Sequence, residues 1–385
     1  MKFVKTTDLK EGMRLAKPIY NKNGILLYDR NSKLTFPGIN SIQNFGLIGI
    51  YILEPAEPLP PLSREDLEFE QSQTIYMFQL RDCFTQITKR KKMDKFDALV
   101  EDISKRYGSL DHRANFNQNL RSADDFIYKQ AISVAILCAM ISNTMLLSDS
   151  DQKTLICAAI LYGFGYKFVP PAIIDKGTDL MPGDEDIIQR ALEKGINYLE
   201  MYKDDFDFFN SAFSLIQYLI YSNNPDKKRP TCSERELLLY DILKVAIRFD
   251  SMTSMKADHE PESEIVAMND MFNHKNIFNP AVSSALAKSI HIVPAGASVD
   301  LSTNDKGIIL VENTEDFMKP LVLRLSDNQI YDLSIPTINN KIHIVDLMKT
   351  MDNRVEIDEE TLKHFVADKR IKETADKFRR VLYHK

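Results

Sequence analysis

The sequence has no tryptophan, only 13 glycines in 385 residues, and no C-x-x-C pair among its four cysteines, Cys83, Cys138, Cys157 and Cys232. That spacing lacks the paired motif of a zinc ribbon or a thioredoxin-type redox site. Cys138 and Cys157 stand in apolar helical text, where buried free thiols are expected. An excess of positive charge is also missing: 49 Lys and Arg face 55 Asp and Glu, for a net charge of −6. The field of such a chain does not gather nucleic acid or an anionic membrane surface, so neither is expected as a partner. Apolar stretches such as Ala131–Ile141 fall well short of the roughly 20 residues that cross a bilayer. The opening MKFVKTTDLKEGM lacks the apolar core of a signal peptide, and a cytoplasmic protein is expected.

What remains is ordinary globular text, 44% hydrophobic and 27% charged, long enough for two or three domains. Residues 1–53 read as a small α+β domain. A strand at Arg14–Tyr20, the turn Asn21-Lys22-Asn23-Gly24 and a strand at Ile25–Tyr28 form a hairpin, followed by a helix at Pro37–Asn44 and a strand at Ile48–Leu53. Four prolines within residues 54–62 make a stiff extended linker. Residues 63–290 read as a helical bundle, because Ile75, Phe78, Leu80, Cys83 and Phe84, then Phe96, Leu99, Val100 and Ile103, then Ile132, Ala135, Ile136, Met140 and Met145 recur at helical spacing. Residues 291–385 read as a β-rich extension with strands at Ser298–Leu301, Gly307–Glu312, Pro320–Leu325 and Gln329–Leu333, ending in a charged helix at Asp358–Leu382. The expected fold class is mainly α, a helical bundle between two smaller β-containing parts.

Several local features take structural readings. The basic run Lys89-Arg90-Lys91-Lys92 suits a solvated helix end. Met252, Met255, Met268 and Met271 suit core packing, and His112, His259 and His291 stand apart from one another, as surface or hydrogen-bonded histidines do. Gly163 and Gly165 flank Phe164, but the Lys-Ser/Thr that completes a phosphate loop is absent, so close helix packing is expected there.

Four longer segments carry a resemblance. In chain order they are Asp125–Leu137 (DFIYKQAISVAIL), Ala158–Lys176 (AAILYGFGYKFVPPAIIDK), Lys176–Gly195 (KGTDLMPGDEDIIQRALEKG) and Ile242–Ser254 (ILKVAIRFDSMTS). They resemble the HD-GYP family, bacterial cyclic di-GMP phosphodiesterases of the HD metallohydrolase superfamily. Members read there as Y-x-H-S-x-x-V-A-I-L, AALLHDIGK with a following I-P and I-L-x-K, K-P-G-x-L-T-x-x-E ending in R-H-P-x-x-G, and I-I-x-V-A-D-x-F-D-A-L-T-S. Phe278–Leu286 and Ile292–Leu310 are similar to the family's later F-D-P-x-V and Y-P-x-G-x-x-V-x-L-S text, and LKEGMRLAKPIY…GILL resembles the small domain that often precedes it. The resemblance spans most of residues 1–335 and implies an HD-type helical bundle.

The chemistry departs from that pattern. Of the seven histidines, none lies between residues 113 and 258. The family's first ligand histidine falls on Gln130, its His-Asp pair on Tyr162 and Gly163, and its signature lysine on Tyr166. The histidine of the H-P step falls on Ala191, the paired histidines on Tyr218 and Leu219, and the late aspartate on Ile247. The G-Y-P region reads NNPDKKRP at residues 223–230. Fe and Mn centres need converging imidazoles and carboxylates, whereas these residues offer no donor or a phenol with pKa near 10. A metal lowers the pKa of an attacking water from 15.7 to about 7, and without one hydroxide costs roughly 12 kcal/mol more at neutral pH. No catalytic residue, metal or cofactor is therefore expected.

The expected function is that of a catalytically inactive HD-GYP-like signalling protein that works by binding. Either the former cleft senses cyclic di-GMP or another nucleotide, or the bundle is a protein–protein module, with a protein partner or a second copy as occupant. The alternative is a phosphodiesterase or other phosphohydrolase with an unconventional site. Candidate nucleotide contacts are Tyr162, Tyr166 and Tyr221, whose rings can stack on a base, with Asp250, Lys176 and Lys256 as polar partners. The same tyrosines, with Tyr218, can instead plug the space left by ions and ligand. The resemblance also implies contacts between the G-Y-P region and diguanylate cyclases, and the loss of that signature removes the basis for this partnership.

Overall fold

The computed structural model of the chain describes residues 2–21, 25–45, 47–53, 62–122, 124–174, 176, 179–222, 231–254, 260–348, 353–357 and 372–377. The fold is mainly α. The N-terminal part holds β1 (Lys2–Lys5), β2 (Arg14–Leu15), β3 (Ile19–Tyr20), β4 (Leu26–Tyr28), α1 (Phe36–Asn44) and β5 (Gly49–Leu53). Two sheets form, an antiparallel three-stranded sheet in the order β1-β5-β2 and the hairpin β3-β4. The single strand expected at Arg14–Tyr20 is split. Leu15 pairs with Ile52 while Ile19 pairs with Tyr28, and Pro18 between them has no N–H to continue a ladder. Lys17 is released by that break and turns inward, its ammonium bonding Glu70 at 3.1 Å and the Gln118 carbonyl at 3.1 Å.

The helical part comprises α2 (Arg64–Thr88), α3 (Phe96–Tyr107), α4 (Phe126–Thr144), α5 (Asp149–Leu161), α6 (Pro171–Ile174), α7 (Asp184–Leu199), α8 (Phe209–Tyr221), α9 (Glu234–Thr253), α10 (Glu264–Asn273) and α11 (Pro280–Ser289). Their starts are written in the sequence. Ser63 with Asp66, and Ser233 with Glu236, form reciprocal capping boxes that satisfy the first free N–H groups of α2 and α9. Ser148 and Ser263 cap α5 and α10 in the simpler way. The basic run follows the last turn of α2 at Thr88, as its composition suggests. Helix α4 is apolar on every side and buried from Ala131 to Ser142, with α2, α5, α9 and α11 packed around it. A helix of that kind belongs to a bundle centre. Its extent corrects the sequence reading of short apolar runs: among the described helices it is the one long and apolar enough by composition to cross a membrane, and here that surface is covered by protein.

The C-terminal sheet contains β6 (Ser298–Leu301), β7 (Lys306–Val311), β8 (Leu321–Arg324), β9 (Gln329–Asp332) and, after the short α12 (Pro336–Asn339), β10 (Ile344–Leu347). Its order is β10-β6-β7-β8-β9, antiparallel throughout. Val299, Leu301, Ile309, Val322 and Ile344 join the core of the helical bundle. The linker expected at residues 54–62 lies outside the described residues except for Leu62. Of the helix expected at Asp358–Leu382, only 372–377 are described, and they are helical.

The glycine pair on which close packing was expected divides into two cases. A 3-10 turn at Phe164–Phe168 crosses α7, and a Cβ on Gly195 would lie 2.7 Å from the Gly165 Cα. A Cβ on Gly165 would meet the Leu192 Cα at 2.5 Å. Gly163 is buried but has no atom within 4 Å of a would-be Cβ, so space remains beside it. In an exposed helix Gly→Ala stabilises by up to about 1 kcal/mol. At this crossing the backbones must separate, and Gly195→Ala is expected to destabilise the fold by about 1–3 kcal/mol, read as a lower urea midpoint at unchanged m-value.

Candidate functional site

The centre of the bundle holds an ion pair entirely out of water. Arg121 approaches from the segment before α4 and Asp250 from the last turn of α9, and both side chains are 0% exposed. The pairing is bidentate, with Nη2 donating to Asp250 Oδ1 at 2.5 Å and Nη1 to Oδ2 at 3.2 Å. Arg121 Nε donates to Asn119 Oδ1 at 3.0 Å and Nη2 to Gln118 Oε1 at 3.1 Å, while the Phe126 ring lies 5.2 Å from the guanidinium carbon. Gln118 is held in turn, its Nε2 donating to Thr253 Oγ1 at 2.9 Å. Removing two ions from water costs several kcal/mol each, and only such complete coordination offsets it.

Tyr162 belongs to the same neighbourhood. Its hydroxyl is buried without a hydrogen-bond partner, and burial followed by the nearby Asp250 charge holds its pKa well above the ordinary tyrosine value, Arg121 opposing. Tyr166 also acts on it electrostatically. Tyr166 is half-buried, raised by burial, and packs in a small cluster with Val169, Ile173 and Ala191. Gln130 is half-buried on α4. Tyr218 on α8 meets Tyr240 edge to face at 4.8 Å, and Leu219, Tyr221 and Ile247 pack half-buried against the main core.

The expected polar contacts fare differently. Lys176 is paired with Asp184 at 2.7 Å at the start of α7 and holds that carboxyl below the usual range. Asp250 is fully buried with both oxygens on Arg121, so it is not an exposed polar contact for a ligand. Lys256, the residues 227–229 and His259 lie outside the described residues. Histidines elsewhere are local partners: His112 bonds Asp111 and Glu65, His274 bonds Asp270, and His291 bonds Glu312 at 2.7 Å. Among the described residues no group of three or more His, Cys, Asp or Glu could hold a metal ion. All four cysteines are free, with Cys138 and Cys157 buried as expected and burial pushing Cys83 up to about 12.

Sequence reasoning missed Arg121. Its signal is faint but physical: in Ala114–Ser122, ANFNQNLRS, it is the single charge among three asparagines and a glutamine, the composition of a buried segment that must satisfy its own polar groups.

Comparison with known proteins bears on the helical part. Residues 115–282 match the HD domain family. The helical core is thus similar to HD domains, and the match begins within the Arg121 segment and ends in α11. A cyclic di-GMP phosphodiesterase of Pseudomonas aeruginosa is 22% identical over 206 residues, 53% of this chain and 49% of that protein. The chain therefore spans about half the length of that curated relative. No solved structure matches.

Cutting the central pair has a defined cost. Arg121→Met leaves the Asp250 carboxylate buried and unpaired, and about 3–5 kcal/mol of stability should be lost. The double variant Arg121→Met/Asp250→Leu should recover most of that, because no charge is stranded. Denaturant unfolding of the single and double variants measures the difference.

Proposed function

We propose that this chain is an HD-type signalling protein that acts by binding and not by metal-dependent hydrolysis. The observation that carries this reading is the Arg121–Asp250 pair. A guanidinium already neutralises the carboxylate of the F-D step at 2.5 Å and 3.2 Å, inside a shell of Gln118, Asn119 and Phe126. A divalent cation would have to displace a bidentate partner and strand a buried guanidinium, a loss on the order of several kcal/mol before any ligand is gained. The positions where the HD-GYP pattern has imidazoles carry Gln130, Tyr162, Ala191, Tyr218 and Leu219, which supports the same reading. Bound metal would otherwise be the source of hydroxide at neutral pH.

Cyclic di-GMP is the first ligand to try, because the curated relative acts on it. Space beside Gly163 and the half-buried tyrosines Tyr166, Tyr218 and Tyr221 support nucleotide sensing in the former cleft; the burial of Tyr162 supports a filled cleft and a protein partner.

Thermal unfolding of the purified protein with and without cyclic di-GMP, with elemental analysis and an assay for linear product in added Mn²⁺ and Fe²⁺, tests the proposal. No linear product should appear. Ligand at 100-fold above Kd should add about 2.7 kcal/mol if the cleft senses it. No shift assigns the chain to protein binding, and metal-dependent linear product overturns the proposal.

A further inference from the structure

Where α4 ends, the chain turns sharply toward α5, and Leu146 sits at that turn. The Leu146 N–H donates to the Asn143 carbonyl at 3.0 Å and the Leu147 N–H to the Ser142 carbonyl at 3.0 Å, which satisfies carbonyls that the helix end would otherwise leave free. A stop of this kind requires a left-handed residue, and Leu146 supplies it at φ 57°. Glycine or asparagine adopts that conformation at least cost. Of the six described non-glycine residues at positive φ, three are asparagine, two are basic and Leu146 is the apolar one. Its side chain is also 89% exposed, the highest value among the described large hydrophobics. The turn accounts for the backbone and leaves the choice of leucine unexplained.

Leu146 stands at the edge of a cleft of about 620 Å³, formed where the α3–α4 connection, the ends of α4 and α11 and the β7–β8 connection meet. Tyr107, Leu110 and Met140 supply its apolar lining. Most polar groups around it are engaged within the chain. Arg113 donates to the Thr314 carbonyl at 2.7 Å, Asn143 to the Leu110 carbonyl at 2.6 Å, and the Thr144 and Ser289 hydroxyls lie 2.9 Å apart. Two charges are different. Lys288, in the last turn of α11, and Glu315 both line the cleft and are exposed, and neither forms an ion pair with a described residue. One surface therefore carries a projecting apolar side chain, a recess with apolar walls and one unpaired charge of each sign.

We propose that this face is a two-fold interface between two copies of the chain, in which Leu146 of each copy enters the cleft of the other and Lys288 pairs with the partner's Glu315. A two-fold contact joins the same patch on both subunits, so each patch must hold the projection, the recess and both signs of charge, as this one does. Moving the leucine from water into the partner's recess offsets the cost of keeping it in the left-handed turn. The interface is separate from the Arg121–Asp250 centre, and its failure leaves the reading of that centre unchanged.

Sedimentation velocity of the full chain, carried from dilute solution to high micromolar concentration, should show a reversible monomer–dimer equilibrium. Leu146→Asn should raise the dimer dissociation constant about tenfold or more, because each dimer loses two buried leucines. The urea midpoint of the dilute protein should stay the same or rise, since asparagine suits the left-handed turn. A substitution that merely damaged the fold would lower it. Lys288→Glu and Glu315→Lys should each weaken self-association, and an equal mixture of the two variants should restore it, because every pairing across the two-fold is then between opposite charges. Weakened association in Leu146→Asn with restoration in the mixture supports the interface. A chain that stays monomeric at every concentration overturns it and leaves Leu146 to a partner of different sequence. A dimer undiminished by Leu146→Asn, or charge variants that mixing does not restore, overturns it as well.

Discussion

A guanidinium and a carboxylate facing each other at 2.5 Å in a water-free bundle set the terms for the rest of this fold. Neither ion could be buried alone, so the segment that brings Arg121 inward must be placed accurately, and its neighbours hold it on every side. Ala114 bonds Ser289 and His291 in the main chain, Asn115 bonds Asp66 at 2.9 Å, and Gln73 bonds the Asn117 carbonyl at 3.1 Å. The Arg121 carbonyl then accepts from Ile48 at 2.8 Å, which ties the N-terminal sheet to the same segment. A stretch with almost no regular secondary structure thus connects α2, α9, α11 and β5. The chain can leave it irregular because side-chain amides take the place of ladder hydrogen bonds.

The pair supports the proposed reading of the centre as one that holds a carboxylate without binding a cation. Affinity for a divalent ion comes from several oxygen or nitrogen donors with free lone pairs converging on one point. Here the donors of the guanidinium already occupy the carboxylate, and the nearby tyrosine hydroxyl, raised by burial, stays protonated. The electrostatic problem posed by Asp250 has a solution internal to the chain. That removes the force which elsewhere draws a metal into such a pocket, independently of which imidazoles are present.

Much of the architecture was legible because it rests on local rules. The helical bundle followed from apolar residues recurring at helical spacing, and the four C-terminal strands expected are within about two residues of those observed. The failures are where tertiary contacts decide. Residues Arg14–Tyr20 looked like one strand because β-propensity runs through them, but Pro18 and the inward turn of Lys17 break the ladder. The positions matched to the HD-GYP pattern were placed by pattern matching, which says what residue types stand there but not what surrounds them. Arg121 and Asp250 are 129 residues apart, and no periodicity links such a pair. The glycine at 195 illustrates the same limit: the text shows a helix-weakening residue, and only the crossing with Gly165 gives it a reason.

Gln118 stands between the seam with the N-terminal part and the bundle centre. Its carbonyl accepts from Lys17 at the seam, its Oε1 accepts from Arg121, and its Nε2 donates to Thr253 on α9. Adjacency alone is not coupling, since two sites influence each other only if occupation of one changes the free energy of states of the other. The geometry does limit what such coupling would require. The carbonyl and both side-chain polar atoms of Gln118 already have partners, so a movement of Lys17 leaves the carbonyl short of a donor unless the segment shifts with it. A shift would reach Arg121 within three residues and disturb a fully buried ion pair. The bundle centre therefore resists displacement of the seam.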